Sequence, residues 1–320
     1  MATQTVTGKA FEFALLDEFS KRLAQVTNVS IIKNEPFITA LHSFESFGEK
    51  EKSSYSLNAS FAVNFLLDIE PRLSNHLNQN DVLELEIVAD RAGQSGDVRD
   101  VLAIRSSQNW EIGISAKNNH RAVKHSRLSN DINFGEKWLG ISSSSDYFAA
   151  IKPIFDSLSV LRTASGATKL WSSLGDYHTT VYQPILSAFK EELIRLDNDN
   201  PGLVASRLVE YLIGNQDFYK VIKGKNKVEI QAYNLHGTLN LPFGSIKPKA
   251  KVSKLKLPTR LIEVVFQENS KTTLLVTLNE GWQISFRIHN ASSRIEPSLK
   301  FDINLVSSPH TLFVNQLFLG

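Results

Sequence analysis

The chain contains no cysteine and a single methionine. The lack of cysteine excludes disulfide bonds, thiolate zinc sites and cysteine nucleophiles. No apolar run approaches the roughly 18 residues of a membrane-spanning helix, and the N-terminus lacks a basic, apolar targeting signal. We therefore expect a soluble, intracellular protein that makes no membrane contact.

Motifs of nucleotide and hydrolase chemistry are also missing. No glycine-rich P-loop precedes a lysine and a hydroxyl residue, so we expect no nucleotide cofactor. No Gly-x-Ser-x-Gly nucleophile motif, repeat or low-complexity tract occurs. The 320 residues suffice for one large or two ordinary domains, and their net charge is only +2. The distribution of charge is therefore more informative than its total.

The stretch from Gly96 to Ser129 carries most of the chemistry. Alternating apolar residues predict a strand over 98–105, and a returning strand from Trp110 to Lys117. If the turn spans Ser106 to Asn109, Arg105 faces Trp110. Asp100 then faces Ser115, on the same side of the sheet as Lys117.

An acid and a lysine on neighbouring strands are what phosphodiester hydrolysis requires. Asp100 would hold a divalent metal ion, which polarises the phosphate and lowers the pKa of a bound water. Lys117 would orient that water or balance charge in the transition state. A one-residue slip would exchange the two faces of the hairpin, so Asp97 is a second metal-ligand candidate.

This pattern, an Asp beginning one strand and x-x-Lys on the next, resembles the PD-(D/E)XK nuclease core. The wider block SAKNNHRAVKHSRLS (115–129) is similar to type II restriction endonucleases, most of all to the HaeIII-type family. Residues 8–20, beginning Gly-Lys-Ala-Phe-Glu, and residues 286–302 extend the resemblance. It implies site-specific hydrolysis of double-stranded DNA at GGCC, with Mg²⁺ or a substituting Mn²⁺, leaving 5′-phosphates in a bacterial cytoplasm.

The chain departs from this nuclease pattern at two positions. Arg99 stands where a proline usually precedes the Asp, and Ser115 stands where a second acid is expected. Glu111 lies on the correct face, but about 13 Å along the strand from Ser115 at ~3.3 Å per residue. Related nucleases place a glutamate beside the sheet from an early helix, so we favour Glu12 over Glu111. The alternative for Glu12 is an ordinary first-turn glutamate.

Two donor-rich segments are candidates for DNA contact. The first follows the hairpin and could neutralise or position phosphates: Asn118, Asn119, His120, Lys124, His125 and Arg127. The second ends a predicted strand, and its arginines could read guanine edges: Arg287, His289, Asn290 and Arg294. The alternative for both is a solvated basic surface.

The remaining pattern predicts an α/β (α+β) fold, with a restriction-endonuclease-like mixed sheet flanked by helices and a β-rich C-terminal region. We predict a nuclease core over 1–140, a mainly helical region over 141–218 and a basic DNA-recognition region over 219–320. Lysines 220, 223, 225 and 227 are predicted in a loop of that region. An amphipathic helix is predicted from Gly8, with Thr7 as its N-cap.

We therefore expect a type II restriction endonuclease, a monomer or homodimer acting on double-stranded DNA. One alternative is a structure-selective repair nuclease of the same fold. The other is a DNA-binding module that has lost its catalytic acid, as Ser115 suggests. Fragment patterns from plasmid DNA would separate these three functions.

Overall fold

The computed structural model describes residues 4–75, 81–89, 97–119 and 123–319. Its contacts divide the chain into two units. The first comprises Met1–Arg121, Gly214–Lys256 and Thr311–Gly320, and the second comprises Ala122–Ile213 and Leu257–His310. Each unit thus combines separated segments, whereas the three regions predicted above are contiguous. The assignment of functions to those regions remains a prediction.

Helices and strands are interspersed along the chain as far as α7, and strands dominate its end. The helices are α1 (Gln4–Leu23), α2 (Glu35–Glu45), α3 (Glu49–Ile69), α4 (Pro71–Ser74), α5 (Ser145–Ala164), α6 (Gln183–Asp199) and α7 (Val204–Ile213). The strands are β1 (Asn28–Ile31), β2 (Val82–Ile87), β3 (Val101–Arg105), β4 (Trp110–Asn118), β5 (Arg127–Leu128), β6 (Phe218–Lys223), β7 (Lys227–Tyr233), β8 (Leu261–Phe266), β9 (Thr273–Leu278), β10 (Gln283–Asn290), β11 (Leu299–Ser307) and β12 (Phe313–Phe318).

The first unit is built on a mixed seven-stranded sheet of order β1-β2-β3-β4-β6-β7-β12. Strands β1 and β2 are parallel, as are β4 and β6, while the meander β2-β3-β4 is antiparallel. Helices α1 and α3 cover one face, where the apolar residues of the central strands form the core. The α/β fold with a mixed sheet flanked by helices is thereby confirmed.

Helix α1 buries the stripe that its sequence predicts. Phe11, Leu15 and Phe19 are each fully buried, as spacings of three and four residues require. The predicted N-cap is wrong, because the helix begins at Gln4 and Thr7 lies inside it. The Thr7 hydroxyl donates to the Gln4 carbonyl, as it can from within a helix.

The predicted loop of lysines around residue 220 is wrong. Lys220 and Lys223 lie on β6, whose apolar residues Tyr219 and Val221 pack into the core. Strand β6 pairs with β4 on one side and β7 on the other. Lys220 is only 5% exposed, so it does not belong to a solvated basic loop.

The second unit contains an antiparallel five-stranded sheet of order β5-β11-β10-β9-β8. One face buries Phe286 and Phe301, which contact Phe189 of α6. The opposite face carries polar side chains, because residues alternate along β10 and β11. In the described part of the chain, no helix is both long and apolar enough to cross a membrane.

A buried acid connects the helical layer of the first unit to its sheet. Glu70, between α3 and α4, is fully buried and accepts a 2.8 Å hydrogen bond from the Tyr219 hydroxyl. Its second contact is the backbone N–H of Asn240. Burial raises the pKa of Glu70 to about 7, although both hydrogen bonds oppose that rise.

We predict that Glu70 makes stability depend on pH. Its pKa is higher in the folded chain than in the unfolded chain, so its contribution is complete below about pH 4.5 and is lost as pH rises through about 7. Urea unfolding should show wild type losing a few kcal/mol between about pH 5 and pH 8. Glu70→Gln should lose less stability than wild type over this range, whereas exposed Glu35→Gln should match wild type. Equal pH slopes for wild type and Glu70→Gln would contradict this role.

Candidate active site

The hairpin of β3 and β4 has the register that the sequence predicts. Arg105 pairs with Trp110, and Val101 pairs with Ile114. A 3₁₀ turn over Ser106–Gln108 and a left-handed Asn109, with φ of 48°, close the hairpin. Strand β3 is shorter than predicted, beginning at Val101, and Arg99 before it binds Asp97.

Asp100 is held by three donors from β4. The Ser115 hydroxyl donates to Oδ2 over 3.1 Å, and the Ala116 backbone N–H donates over 2.7 Å. The Lys117 ammonium donates to the same oxygen over 3.0 Å. Asp100, Ser115 and Lys117 are thus brought together, and the carboxylate has a defined orientation.

Helix α1 adds Glu12 to this cluster. Glu12 is 5% exposed, and its Oε2 accepts a 3.0 Å hydrogen bond from Lys9, one turn earlier on the helix. Burial, and to a smaller extent the charge of Asp100, raise the pKa of Glu12 to about 7. Lys9 and Lys117 act in the opposite direction. The interaction with Asp100 means that two carboxyl groups share one partly buried site.

The carboxylate oxygens of Asp100 and Glu12 are suited to coordinate a divalent cation. Among the described residues, no hydrogen-bond donor contacts Asp100 Oδ1 or Glu12 Oε1, so each carboxyl has an oxygen available for coordination. A cation would stabilise the ionised form of Glu12, whose pKa burial and the charge of Asp100 raise. The described residues contain no group of three or more acids or histidines able to bind a metal. Two carboxylates supplemented by water and phosphate oxygens suit Mg²⁺.

The other two acid candidates form a separate cluster around Arg99. Arg99 donates to Asp97 over 2.7 Å and to Glu111 over 2.6 Å. Its aliphatic portion lies over Gly113, where an added Cβ would come within 2.0 Å of Arg99 Cδ. Asp97 and Glu111 therefore neutralise an arginine, and the structure does not bring them to the Asp100 cluster.

Two lysines, Lys9 and Lys220, were not assigned to this site from the sequence. Lys9 is 8% exposed and precedes Glu12 by three residues, a spacing that places both on one helix face. Lys220 pairs with Ser115 in the parallel register of β4 and β6. The spacing could have revealed Lys9, but only the strand pairing reveals Lys220.

The first set of predicted DNA contacts is divided between the two units. In the first unit, Asn118 ends β4 and lies 3.4 Å from the Tyr55 hydroxyl, and Asn119 is exposed. His120 lies outside the described residues. In the second unit, Lys124 donates to the Tyr211 carbonyl over 2.8 Å, and burial lowers its pKa to about 8.

The other predicted contacts all lie in the second unit. Arg287 is exposed on β10, and the His289 ring contacts the Asn290 carbonyl over 2.8 Å. The Asn290 side chain accepts a hydrogen bond from the Tyr182 hydroxyl, and Arg294 is exposed in the following loop. Arg127 lies on β5 and His125 precedes it, and β11 separates β5 from β10 in the sheet. The segment containing His125 and Arg127 and the segment containing Arg287 and His289 therefore meet on one sheet.

Comparison with known proteins identifies the family to which this chain is similar. The family model for HaeIII restriction endonuclease matches residues 8–309. The type II restriction enzyme HaeIII of Haemophilus aegyptius is 42% identical over 307 residues, which covers 95% of this chain and 95% of that protein. No solved structure matches. The matched range includes Glu12, most of α1 and the β3–β4 hairpin.

We predict that Mn²⁺ binding requires Asp100 and Glu12. Asp100→Asn and Glu12→Gln should each weaken Mn²⁺ binding at least about 10-fold, as expected when a carboxylate ligand is lost. Glu111→Gln is the matched control, because that acid faces Arg99. Isothermal titration calorimetry of the free protein measures all four affinities. Weaker binding by Glu111→Gln and unchanged binding by Glu12→Gln would reverse the assignment.

Proposed function

Because this chain belongs to the HaeIII restriction endonuclease family, we propose that its DNA-cleaving site is the β3–β4 hairpin with Glu12. Membership confirms the resemblance seen in the sequence and makes the chain a type II site-specific endodeoxyribonuclease. The observation that supports this location is the meeting of Ser115, Ala116 and Lys117 on one oxygen of Asp100.

Asp100 and Glu12 would hold the divalent cation, which we propose is Mg²⁺, with Mn²⁺ able to substitute. When bound, the cation would polarise the scissile phosphate and lower the pKa of a water molecule. Ser115 and the Ala116 N–H keep the Asp100 carboxylate in one orientation. Ser115 thus occupies the usual acid position as a positioning residue, and Glu12 supplies the second carboxylate.

Lys117 is the group we assign to the attacking water. Its ammonium is partly exposed and lies 3.0 Å from Asp100, so it is anchored at the site. A fixed cation can orient the water and stabilise charge that develops on the phosphate oxygens. Lys9 is more deeply buried and contacts Glu12, so we assign it the orientation of that carboxylate.

We propose double-stranded DNA carrying GGCC as the target, with 5′-phosphate products, in the cytoplasm of a bacterium. The exposed arginines 287 and 294 support a G·C-rich target, because arginine binds guanine O6 and N7 with two donors. Asn118 and Asn119, together with His120, remain candidates for contact with the scissile strand. The enzyme acts as a monomer or a homodimer in this proposal.

We predict that cleavage requires both Asp100 and Lys117. With Mg²⁺, Asp100→Asn and Lys117→Met should each lower the plasmid cleavage rate about 100-fold or more, because each removes a charge from the transition-state environment. Lys50→Met removes an exposed lysine of the same unit, on helix α3, and should cleave normally. Normal cleavage by Lys117→Met would exclude this site. DNA binding without cleavage by wild type would instead favour the inactive binding module.

The recognition sequence gives a second prediction. Complete plasmid digestion should yield discrete fragments whose ends map to GGCC and ligate without added kinase, because they carry 5′-phosphates. End sequencing measures both properties. Fragments that map to DNA junctions or lesions rather than to one sequence would favour a repair nuclease.

A further inference from the structure

The polar face of the five-stranded sheet collects basic residues from three strands. Arg127 of β5 pairs with Lys300 of β11, which pairs with His289 of β10. The neighbouring row pairs Asp302 with Arg287. Leu299, Phe301 and other apolar residues occupy the opposite face. We call this surface the basic sheet face: His125, Arg127, Arg287, His289, Lys300 and Asp302.

Asp302 lies at the centre of the basic sheet face. Its Oδ2 accepts a 3.0 Å hydrogen bond from Arg287 Nη2. Its Oδ1 lies 3.5 Å from His125 Nδ1 and has no hydrogen-bond partner in the described part of the chain. One carboxylate therefore faces an arginine of β10 and a histidine that precedes β5.

The side chains around Asp302 keep donors available to a ligand. The Arg287 side chain is 56% exposed, and its contact with Asp302 uses one of its five N–H donors. Lys300 forms no ion pair with any described residue. Arg127 donates to the Ser298 hydroxyl over 2.8 Å and lies 3.8 Å from Glu296, and 44% of its side chain is exposed.

We propose that the basic sheet face contacts the DNA substrate and that Asp302 positions Arg287 against a guanine edge. This inference rests on the proposed function and deepens it by naming a recognition surface. Strands can present side chains to the major groove, and an arginine anchored through one nitrogen retains donors for guanine O6 and N7. Lys300 and Arg127 lie on the same face, where they would neutralise phosphates beside the base that Arg287 contacts.

Asp302 is negatively charged, which is unusual for a residue on a DNA-binding surface. A carboxylate on a DNA-binding surface repels phosphates, so its removal should strengthen binding to any sequence. If Asp302 also restricts Arg287 to one geometry, its removal should weaken discrimination between sequences. An acid that served only to reduce the surface charge would alter the affinity for every duplex by the same factor.

The test is fluorescence anisotropy of the full chain with two short duplexes, using Ca²⁺ in place of Mg²⁺ and a gel to verify that neither duplex is cut. One duplex carries the sequence mapped by digestion, and the other carries a permuted sequence. Arg287→Ala should weaken binding to the mapped duplex about 10-fold or more. Lys300→Ala should weaken both and lower the slope of log affinity against log salt by about 1. Lys152→Ala, an exposed lysine of α5, is the matched control.

Asp302→Asn should bind the permuted duplex at least as tightly as wild type, while its preference for the mapped duplex falls about 10-fold. Arg287→Lys keeps the charge but loses the planar fork, so it should retain binding to the permuted duplex and lose the preference. The melting temperature of each variant verifies folding.

Two results would overturn the inference. One is that Arg287→Ala and Lys300→Ala bind both duplexes as Lys152→Ala does. The other is that Asp302→Asn changes both affinities by the same factor. In either case, wild-type cleavage of the plasmid and its loss in Lys117→Met would leave the proposed function intact. Absence of cleavage by wild type would instead reject the proposed function itself.

Discussion

The register of one antiparallel hairpin is the constraint on which the candidate site depends. Side chains alternate between the two faces of a sheet, so a shift of one residue would move Ser115 and Lys117 away from Asp100. The 3₁₀ turn over Ser106–Gln108 and the pairing of Arg105 with Trp110 set this register. Three donors then meet on one carboxylate oxygen, which defines the chemistry available at the site.

The electrostatic arrangement supports our proposal that Glu12 compensates for the serine at the usual acid position. Glu12 comes from helix α1 rather than from the sheet, and Lys9 holds it one helical turn away. Burial raises the pKa of Glu12 most, the charge of Asp100 adds to that rise, and two lysines oppose it. In our proposal, the carboxylates of Asp100 and Glu12 together bind a divalent cation, so no acid is needed at residue 115.

The second unit brings together segments that are far apart in the chain. His125 and Arg287 are separated by more than half of the chain's 320 residues, yet both face Asp302. Strand β11 creates this arrangement because it lies between β5 and β10. The same pairing directs the apolar residues of these strands to the opposite face, so burial of that face also orients the basic side chains.

The sequence by itself determined the β3–β4 hairpin, the buried stripe of α1 and the grouping of Asp100, Ser115 and Lys117, because short-range periodicity and turn chemistry specify these features. It left two glutamates open as the second acid and misplaced Lys220 in a loop. Only tertiary structure shows where these side chains lie, and the role of Glu12 as second acid remains our proposal. Packing of α1 brings Glu12 beside Asp100, Arg99 engages Glu111, and parallel pairing places Lys220 opposite Ser115. These contacts join residues distant in sequence, and no local pattern encodes them.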